Sequence, residues 1–244
     1  MALSYRQKAT VVALGVYWPA FFILAHIQVP GFVRRAGVSD KGLHFLAYLI
    51  LVFLFWFAIS PDKKVIWRKF PVWCFFFIVT AYGAVDEVIQ GFVGRNCDAM
   101  DIVANIAGTI TGLILFSFAT FWPAALIVAG VVIFGLTNIT RVNLAEMLPF
   151  ANAMFHLLAY PVFTMLWIYY MHLSFLIRPP KIKWLITALA APAMLLLIVK
   201  LFSAILGKSL EPLEVLISAV GIVVIVTLIS LAALISNAQS IKEG

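Results

Sequence analysis

Long apolar runs alternate with short polar stretches along the whole chain, and the length of these runs predicts transmembrane helices. A helix needs about 20 apolar residues to cross the hydrocarbon core of a bilayer. Eight runs meet this requirement, at residues 10–29, 43–60, 70–92, 100–121, 122–140, 155–175, 184–206 and 213–236. The fourth and fifth runs are nearly continuous, but together they are too long for one crossing, and Pro123 favours a tight turn between them. The pattern therefore predicts an all-α membrane protein with eight transmembrane helices.

The composition supports this class of protein. Hydrophobic residues make up 64% of the 244 residues and charged residues 11%, whereas soluble domains carry about a quarter charged residues. The net charge of +7 comes from Lys and Arg between the apolar runs, without a basic stripe, so no nucleic-acid partner is expected. Ten of the 17 Lys and Arg residues fall on one side of the predicted topology, which places both termini in the cytoplasm.

Two halves of the chain share three short blocks of sequence in the same order. These blocks pair residues 40–48 with 152–160, 94–108 with 207–221, and 18–20 with 122–124. We therefore expect one four-helix repeat in residues 1–121 and a second, degenerate one in 122–244. Because four is an even number, both copies would enter the membrane in the same direction, as parallel repeats.

The second copy keeps only part of the polar pattern of the first. The pairs that keep their chemistry are His44 with His156, Tyr48 with Tyr160, Asp98 with Glu211 and Asp101 with Glu214. The pairs that change it are Asp40 with Asn152, Glu87 with Lys200, Gln90 with Ser203 and Asn105 with Ser218. Any chemistry that needs the full set should reside in the first copy, with the second as a scaffold or a partner half-site.

Polar side chains at the ends of the predicted helices are the candidate functional residues. Charge within or beside a membrane span is costly, and such residues usually face a protein interior or a wet cavity. The candidate ligand-binding residues are His44, Glu87, Gln90, Arg95, Asp98, Asp101 and Asn105. Their counterparts in the second copy are His156, Lys200, Glu211 and Glu214.

Structural roles explain some of these residues equally well. Ser39 or Asp40 is a candidate cap for the second helix, and Asp98 is one for the fourth. His44 is either a site residue or a satisfied histidine at a helix contact, and its recurrence in the second copy favours the site.

Glu87 needs a proton or a cationic partner if it lies within the membrane. Arg95 is the nearest cation in sequence, and His44 or Lys41 can reach it from the neighbouring helix, so a structural ion pair is the main alternative to a ligand-binding role. Asp86 points about 100° away from Glu87 on a helix, and we do not expect the two carboxyl groups to share a role.

Gly108 and Gly112 continue the polar stripe of the fourth helix at the spacing that lets membrane helices approach closely. We assign both glycines to helix packing. Because the stripe leads to the same seam, we expect them to bring this helix against the third one, which bears Glu87.

No compact catalytic or metal signature is present. The chain has no His-x-x-x-His pair, so neither a metal nor another cofactor is expected. No serine lies in an elbow motif, and Cys97 has no histidine near it in sequence. Cys74 lies in an apolar span, so a disulfide with Cys97 is not expected. Enzymatic activity is thus not predicted, although acid–base chemistry at Glu87 or His44 remains open.

These residues in this order resemble the VanZ-like membrane proteins. The pattern starts with Asp40-Lys41-x-x-His44-x-x-x-Tyr48 and is complete within residues 40–112, while a decayed copy occupies 152–225. The resemblance implies a bacterial multi-pass protein of the cell membrane, in which the candidate residues of the first copy form the family's shared polar site. The family's namesake is associated with low-level resistance to the glycopeptide teicoplanin, so a link to resistance is an expectation here. Lys200 puts a second working site in doubt.

Three functions fit these features. The leading hypothesis is an outward-facing polar pocket that binds an envelope component, such as a lipid headgroup or a lipid-linked cell-wall precursor, with Arg95 contacting a phosphate or carboxylate. One alternative is a non-catalytic accessory subunit that joins a membrane protein partner in a larger assembly. Another is a lipid transporter or flippase, in which Glu87 and Lys200 would form a charge gate. Membrane lipids are expected partners in each case.

Overall fold

The regular elements of the described chain are all helices. The computed structural model describes residues 4–27, 39–60, 63–95, 97–139, 148–175, 177–179 and 181–243. Within these ranges the helices are α1 (Tyr5–His26), α2 (Asp40–Ile59), α3 (Phe70–Phe92), α4 (Ala99–Phe118), α5 (Phe121–Asn138), α6 (Pro149–Ser174), α7 (Ile182–Ile205) and α8 (Pro212–Glu243). Each contains a stretch long and apolar enough to cross a membrane, so the predicted all-α protein with eight spanning helices is confirmed. Three basic residues used for the predicted orientation lie outside the described residues, namely Arg34, Arg35 and Arg141.

Local sequence explains where several helices begin. The Ser39 hydroxyl accepts a hydrogen bond from the backbone N–H of Gly42 at 3.3 Å, so Ser39, and not Asp40, caps α2. The Asp98 carboxylate caps α4 in the same way, with the N–H of Met100 at 2.8 Å. Only two residues separate α4 from α5, as the predicted tight turn requires. Pro123 lies in the first turn of α5, where a missing N–H has no cost.

Two glycines with left-handed backbone end α3 and α7. Gly94 has a φ of 82° and Gly207 a φ of 75°, a conformation in which a Cβ would be strained. In both turns the following N–H reaches back to the helix, from Arg95 to the Gln90 carbonyl at 3.1 Å and from Lys208 to the Ser203 carbonyl at 3.0 Å. These turns place Arg95 and Lys208 directly beside the ends of their helices.

Two compact units divide the chain, Met1–Ile139 and Thr140–Gly244. In the first unit α2 is the central helix and packs against α1, α4 and α5. Its buried face joins an aromatic core that includes Tyr48, Trp56, Phe57, Phe75 and Phe116. Because α5 packs in the first unit, the boundary between the two units follows Ile139, later in the chain than the predicted repeat boundary at residue 121. That boundary concerns copies of sequence rather than packing, and it stays a prediction.

Close contact between α2 and α4 depends on small residues. A Cβ on Gly108 would lie 2.4 Å from the Phe45 carbonyl oxygen, so the two backbones nearly touch at this point. One turn further, a Cβ on Gly112 would lie 3.1 Å from the Val52 side chain. The glycines therefore serve packing, but the expectation that they face the helix bearing Glu87 is wrong. They face α2, because the stripe of α4 turns toward the helix that carries His44.

In the second unit, α8 packs against both α6 and α7. Its core contains Ile168, Met171, Trp184, Ala188 and Val226, and Trp184 donates a hydrogen bond to His172 at 2.7 Å. Gly221 of α8 has the same role as Gly108, because a Cβ there would lie 2.8 Å from the Pro161 ring of α6.

Candidate functional site

Ten polar side chains gather at one end of the first unit, where α2 and α4 begin and α3 ends. We refer to this group as the polar cluster, and its members are Asp40, Lys41, His44, Asp86, Glu87, Gln90, Arg95, Asp98, Asp101 and Asn105. All seven residues predicted for the first-copy site belong to it. His44, Glu87, Gln90, Asp101 and Asn105 are each at most 5% exposed, so the cluster extends from the helix ends into the interior of the unit.

His44 is the centre of the polar cluster. Its Nδ1 lies 3.0 Å from Oδ1 of Asn105 and 3.4 Å from Oε1 of Glu87. Its Nε2 lies 3.9 Å from Oδ1 of Asp40 and 3.9 Å from Oδ2 of Asp101. Because both neighbours of Nδ1 are oxygen atoms, one of an amide and one of a carboxyl group, these contacts favour the tautomer in which Nδ1 carries the proton. The other ring nitrogen then faces two carboxyl groups.

Arg95 connects three elements at the edge of the cluster. Its Nη1 donates to the backbone carbonyl of Ala25 in α1 at 2.6 Å. Its Nη2 lies 3.4 Å from both carboxylate oxygens of Asp40 in α2. The guanidinium therefore already has partners on two helices, and it is not the partner of Glu87 that the sequence suggested.

Lys41 and Asp98 form an ion pair at the exposed rim of the cluster. Their charged atoms lie 2.9 Å apart, and the side chains are 49% and 42% exposed. The hydrogen bond from Lys41 lowers the pKa of Asp98, and the backbone hydrogen bond at the start of α4 adds to this effect. Pairs this exposed contribute little to stability, so this one orients the rim more than it holds the fold.

Asp86 is a member of the cluster that the sequence interpretation placed apart from it. Its side chain is fully buried, and Gln90 donates to its Oδ2 at 3.0 Å and to Oε1 of Glu87 at 3.5 Å. His26 of α1 lies 3.9 Å from the other oxygen of Asp86. Gln90 therefore links the two carboxyl groups by contact, and the expectation that they have separate roles stays a prediction. The i, i+4 spacing of Asp86 and Gln90 was a signal that this contact was possible.

Four deeply buried atoms of the cluster have no hydrogen-bond partner among the described residues. These are Oδ1 of Asp86, Oε2 of Glu87, Oδ1 of Asp101 and Nδ2 of Asn105. Lys41 approaches Oδ1 of Asp101 only to 3.9 Å, which is too far for a hydrogen bond. Buried polar atoms in native proteins are nearly always paired, so unpaired ones at a cluster of charges indicate a place for a ligand.

The second unit contains a smaller group of polar contacts at the aligned positions. Nδ1 of His156 lies 2.9 Å from the Ser218 hydroxyl, and its Nε2 lies 3.7 Å from Oε2 of Glu214. Lys200 donates to that carboxylate, and so does the amide of Asn152. Lys200 thus has its partner within its own unit. Of the predicted second-copy residues, Glu211 lies outside this buried group and accepts from Ser209 at 3.2 Å.

The two units differ sharply in charge at these positions. The polar cluster holds five carboxyl groups and only two permanently cationic side chains. The aligned positions of the second unit hold two carboxyl groups, Glu211 and Glu214, and two cations, Lys200 and Lys208. With neutral histidines and ionised carboxyl groups, the polar cluster therefore carries an excess of three negative charges, and the aligned positions of the second unit carry none.

An apolar groove of about 490 Å³ opens between α7 and α8 in the second unit. Leucine, alanine and valine side chains line most of it, and Lys200 is the charged residue in its lining. Its chemistry differs from that of the polar cluster and matches the apolar faces of helices in a bilayer.

Residues 7–122 match the model of a protein family described as VanZ/LLP1. The match covers the stretch in which the complete polar pattern occurs, and the VanZ-like resemblance is thereby confirmed. No curated protein and no solved structure matches the chain.

Proposed function

Because residues 7–122 match the VanZ/LLP1 family model, we propose that this chain is a bacterial plasma-membrane protein whose polar cluster binds an envelope component. The ligand is either a lipid headgroup or a lipid-linked cell-wall precursor. The excess of Lys and Arg on the opposite side of the predicted topology supports a cluster that faces outward.

One observation carries this proposal: a buried carboxyl oxygen of Asp101 and the buried amide nitrogen of Asn105 have no hydrogen-bond partner among the described residues. A buried amide without a hydrogen-bond partner costs roughly 1–3 kcal/mol in the free energy of folding, and a buried charged carboxylate without one costs more. A ligand that supplies both a donor and an acceptor removes this cost. The cluster lies where helices begin and end, so a headgroup at the membrane surface can reach it.

The excess of carboxyl groups selects the chemistry of the ligand. Carboxylates accept hydrogen bonds, so they bind hydroxyl, amide and ammonium groups, such as those of sugars, peptides and amine-bearing headgroups. Arg95 is the expected contact of a phosphate, but its guanidinium already binds Ala25 and Asp40. In this proposal Arg95 also contacts the ligand while it holds α1 against α2.

Contacts within each unit also support an internal repeat of one helical module. His44 with Asn105 and His156 with Ser218 are aligned pairs with nearly equal distances of 3.0 and 2.9 Å. Glycines end α3 and α7 at aligned positions with the same backbone conformation. The second copy then supplies a scaffold, since its buried carboxyl group is neutralised by Lys200.

The test is native mass spectrometry of the protein purified from bacterial membranes in mild detergent. Glu87→Gln keeps the size of a fully buried side chain and removes one negative charge. Glu211→Gln makes the same change outside the buried group of the second unit and serves as the matched control. A bound species that carries sugar, peptide or an amine-bearing headgroup is expected on the parent protein and on the control, and is lost from Glu87→Gln.

Other outcomes contradict the proposal. A small molecule that stays bound in Glu87→Gln places the ligand elsewhere, and a stoichiometric protein that persists in both variants makes the chain an assembly subunit. The link to teicoplanin is tested separately, by comparing the minimal inhibitory concentration of strains that express the parent protein or Glu87→Gln. We expect the variant to lose any protection that the parent gives.

A further inference from the structure

We propose that Asp40, His44 and Asp101 bind a divalent transition-metal ion. One oxygen from each carboxyl group and one imidazole nitrogen lie within 4.8 Å of one another. Zinc bonds of 2.0–2.2 Å in a tetrahedral arrangement place neighbouring ligand atoms about 3.4 Å apart. Nε2 of His44 is 3.9 Å from an oxygen of each carboxyl group, so these two distances must shorten by about half an ångström. The ligand atoms lie within 4.8 Å of one another, so the two carboxyl oxygens must approach each other by at most about 1.4 Å.

The surroundings of His44 favour the tautomer that metal binding needs. A metal-binding histidine usually donates its other ring N–H to a carboxylate or carbonyl, which orients the ring. Nδ1 of His44 has Oδ1 of Asn105 at 3.0 Å and Oε1 of Glu87 at 3.4 Å for this purpose. Nε2 therefore directs its lone pair toward Asp40 and Asp101. Glu87 and Asn105 act here as positioning residues.

Asp101 needs a cation that the protein does not supply at bonding distance. The side chain is 3% exposed, and its Oδ1 has no hydrogen-bond partner among the described residues. Lys41 lies 3.9 Å away and makes its short contact with Asp98 instead. Arg95 reaches Asp40 at 3.4 Å and does not compensate Asp101. A buried carboxylate left in this state is strongly disfavoured.

The second unit has a cation in direct contact with its acid, whereas the nearest cation in the first unit, Lys41, stays 3.9 Å from Asp101. Glu214 aligns with Asp101, and the ammonium group of Lys200 donates to it directly. His156 approaches the same carboxylate at 3.7 Å. The first unit keeps the histidine and the acid but carries Glu87 where the second unit has Lys200. A bound metal ion fills the role of the lysine ammonium and offsets two of the three excess negative charges.

The ligand set also indicates the class of ion. Carboxylates alone suit Mg²⁺, Ca²⁺ and Mn²⁺, whereas an imidazole favours Zn²⁺ and its neighbours among the transition metals. Zn²⁺ accepts imidazole nitrogen and carboxylate oxygen as ligands, and three protein ligands leave a fourth position open to water or to a ligand oxygen. That open position would let the net-negative cluster accept a phosphate, and this step rests on the proposed function. Binding of the metal ion itself does not rest on the proposed function.

The test uses the full-length protein in detergent, stripped with a chelator and titrated with Zn²⁺ without envelope lipid. We expect one ion per chain, measured by elemental analysis after gel filtration, and a rise in the unfolding temperature with Zn²⁺. His44→Gln and Asp40→Asn should each weaken binding at least tenfold. Asp40 is half-exposed, so its variant folds even where His44→Gln does not. His156→Gln removes the aligned histidine of the second unit and is the matched control.

Three results would overturn the site. These are no stoichiometric Zn²⁺ on the parent protein, unchanged affinity in Asp40→Asn, or an equal loss of affinity in His156→Gln. The titration contains no envelope lipid, so the two proposals can fail separately. The protein can bind a headgroup in the mass spectrum without binding Zn²⁺, and it can bind Zn²⁺ without binding a headgroup.

Discussion

Gly108→Ala tests whether the contact between α2 and α4 holds the first unit together. The added Cβ would lie 2.4 Å from the Phe45 carbonyl oxygen and 3.2 Å from the Leu49 backbone nitrogen. Backbone atoms cannot rotate away as a side chain can. Ordinary contact starts near 3.4 Å, so the two helices must separate by about 1 Å.

The cost follows from the contacts that this separation loosens. Overpacking in a close-packed interior costs about 1–3 kcal/mol in the free energy of unfolding, and more where backbone must move. Unfolding temperatures shift by about 2–4 °C per kcal/mol in proteins of 150–250 residues, so we expect a decrease of several degrees. His44 and Asn105 lie on these two helices one turn away, so their 3.0 Å contact lengthens as well.

Thermal unfolding in detergent, followed by tryptophan fluorescence, measures the change in unfolding temperature. Gly15→Ala is the matched control, because a Cβ there meets no atom within 4 Å. Gly112→Ala should fall between the two, since its neighbour at 3.1 Å is a Val52 methyl group that can shift. Equal unfolding temperatures for Gly108→Ala and Gly15→Ala would refute the close contact of the two backbones.

Two further predictions concern ion pairs. Lys200→Met leaves the Glu214 carboxylate buried without its cation and should destabilise the second unit by about 3–5 kcal/mol. The double variant Lys200→Met with Glu214→Gln should be clearly less destabilised. Thermal unfolding of the parent, both single variants and the double variant measures this in a double-mutant cycle. Equal losses would mean that the pair does not act as a unit. Lys41 holds the pKa of Asp98 below its usual value, so the stability from this pair is present above about pH 4 and is lost as the pH falls through the lowered pKa. Asp98→Asn keeps the helix cap and should flatten the stability profile below pH 4, and an unchanged profile would exclude the pair as its cause.

The sequence was sufficient to predict the helices, because length and hydrophobicity decide whether a segment can span a bilayer. It also identified seven of the ten residues of the polar cluster as site residues, since charged groups in an apolar chain are conspicuous, but it placed Asp86 apart from them. It could not assign their partners. Arg95 was expected near Glu87, but it reaches Ala25 and Asp40 instead. That choice depends on how α1 approaches α2, which the spacing within one helix does not determine.

The packing of α4 was mispredicted for the same physical reason. The spacing of Gly108 and Gly112 indicates a close helix contact but does not identify the helix that makes it. The metal-ligand geometry was equally hidden, because its groups come from two helices and are separated by up to 61 residues in sequence. Short motifs report ligands that share one helix, and this set does not.

Glu87→Lys tests whether the proposed site of the first unit can be stabilised by the same cation that the second unit contains. The second unit has a lysine at this position, and it pairs with the acid 14 residues later. In the first unit the residue 14 positions after Glu87 is Asp101, so the new ammonium has the same acid within reach. The substitution replaces a negative charge by a positive one in a cluster with three excess negative charges. We therefore expect the stripped variant to unfold at a higher temperature than the stripped parent and to bind neither Zn²⁺ nor the headgroup. Glu87→Gln, which removes the charge without adding a cation, is the control and should gain less stability. If Glu87→Lys lowers the unfolding temperature instead, the first unit does not need a cation beside Asp101, and the comparison of the two units fails.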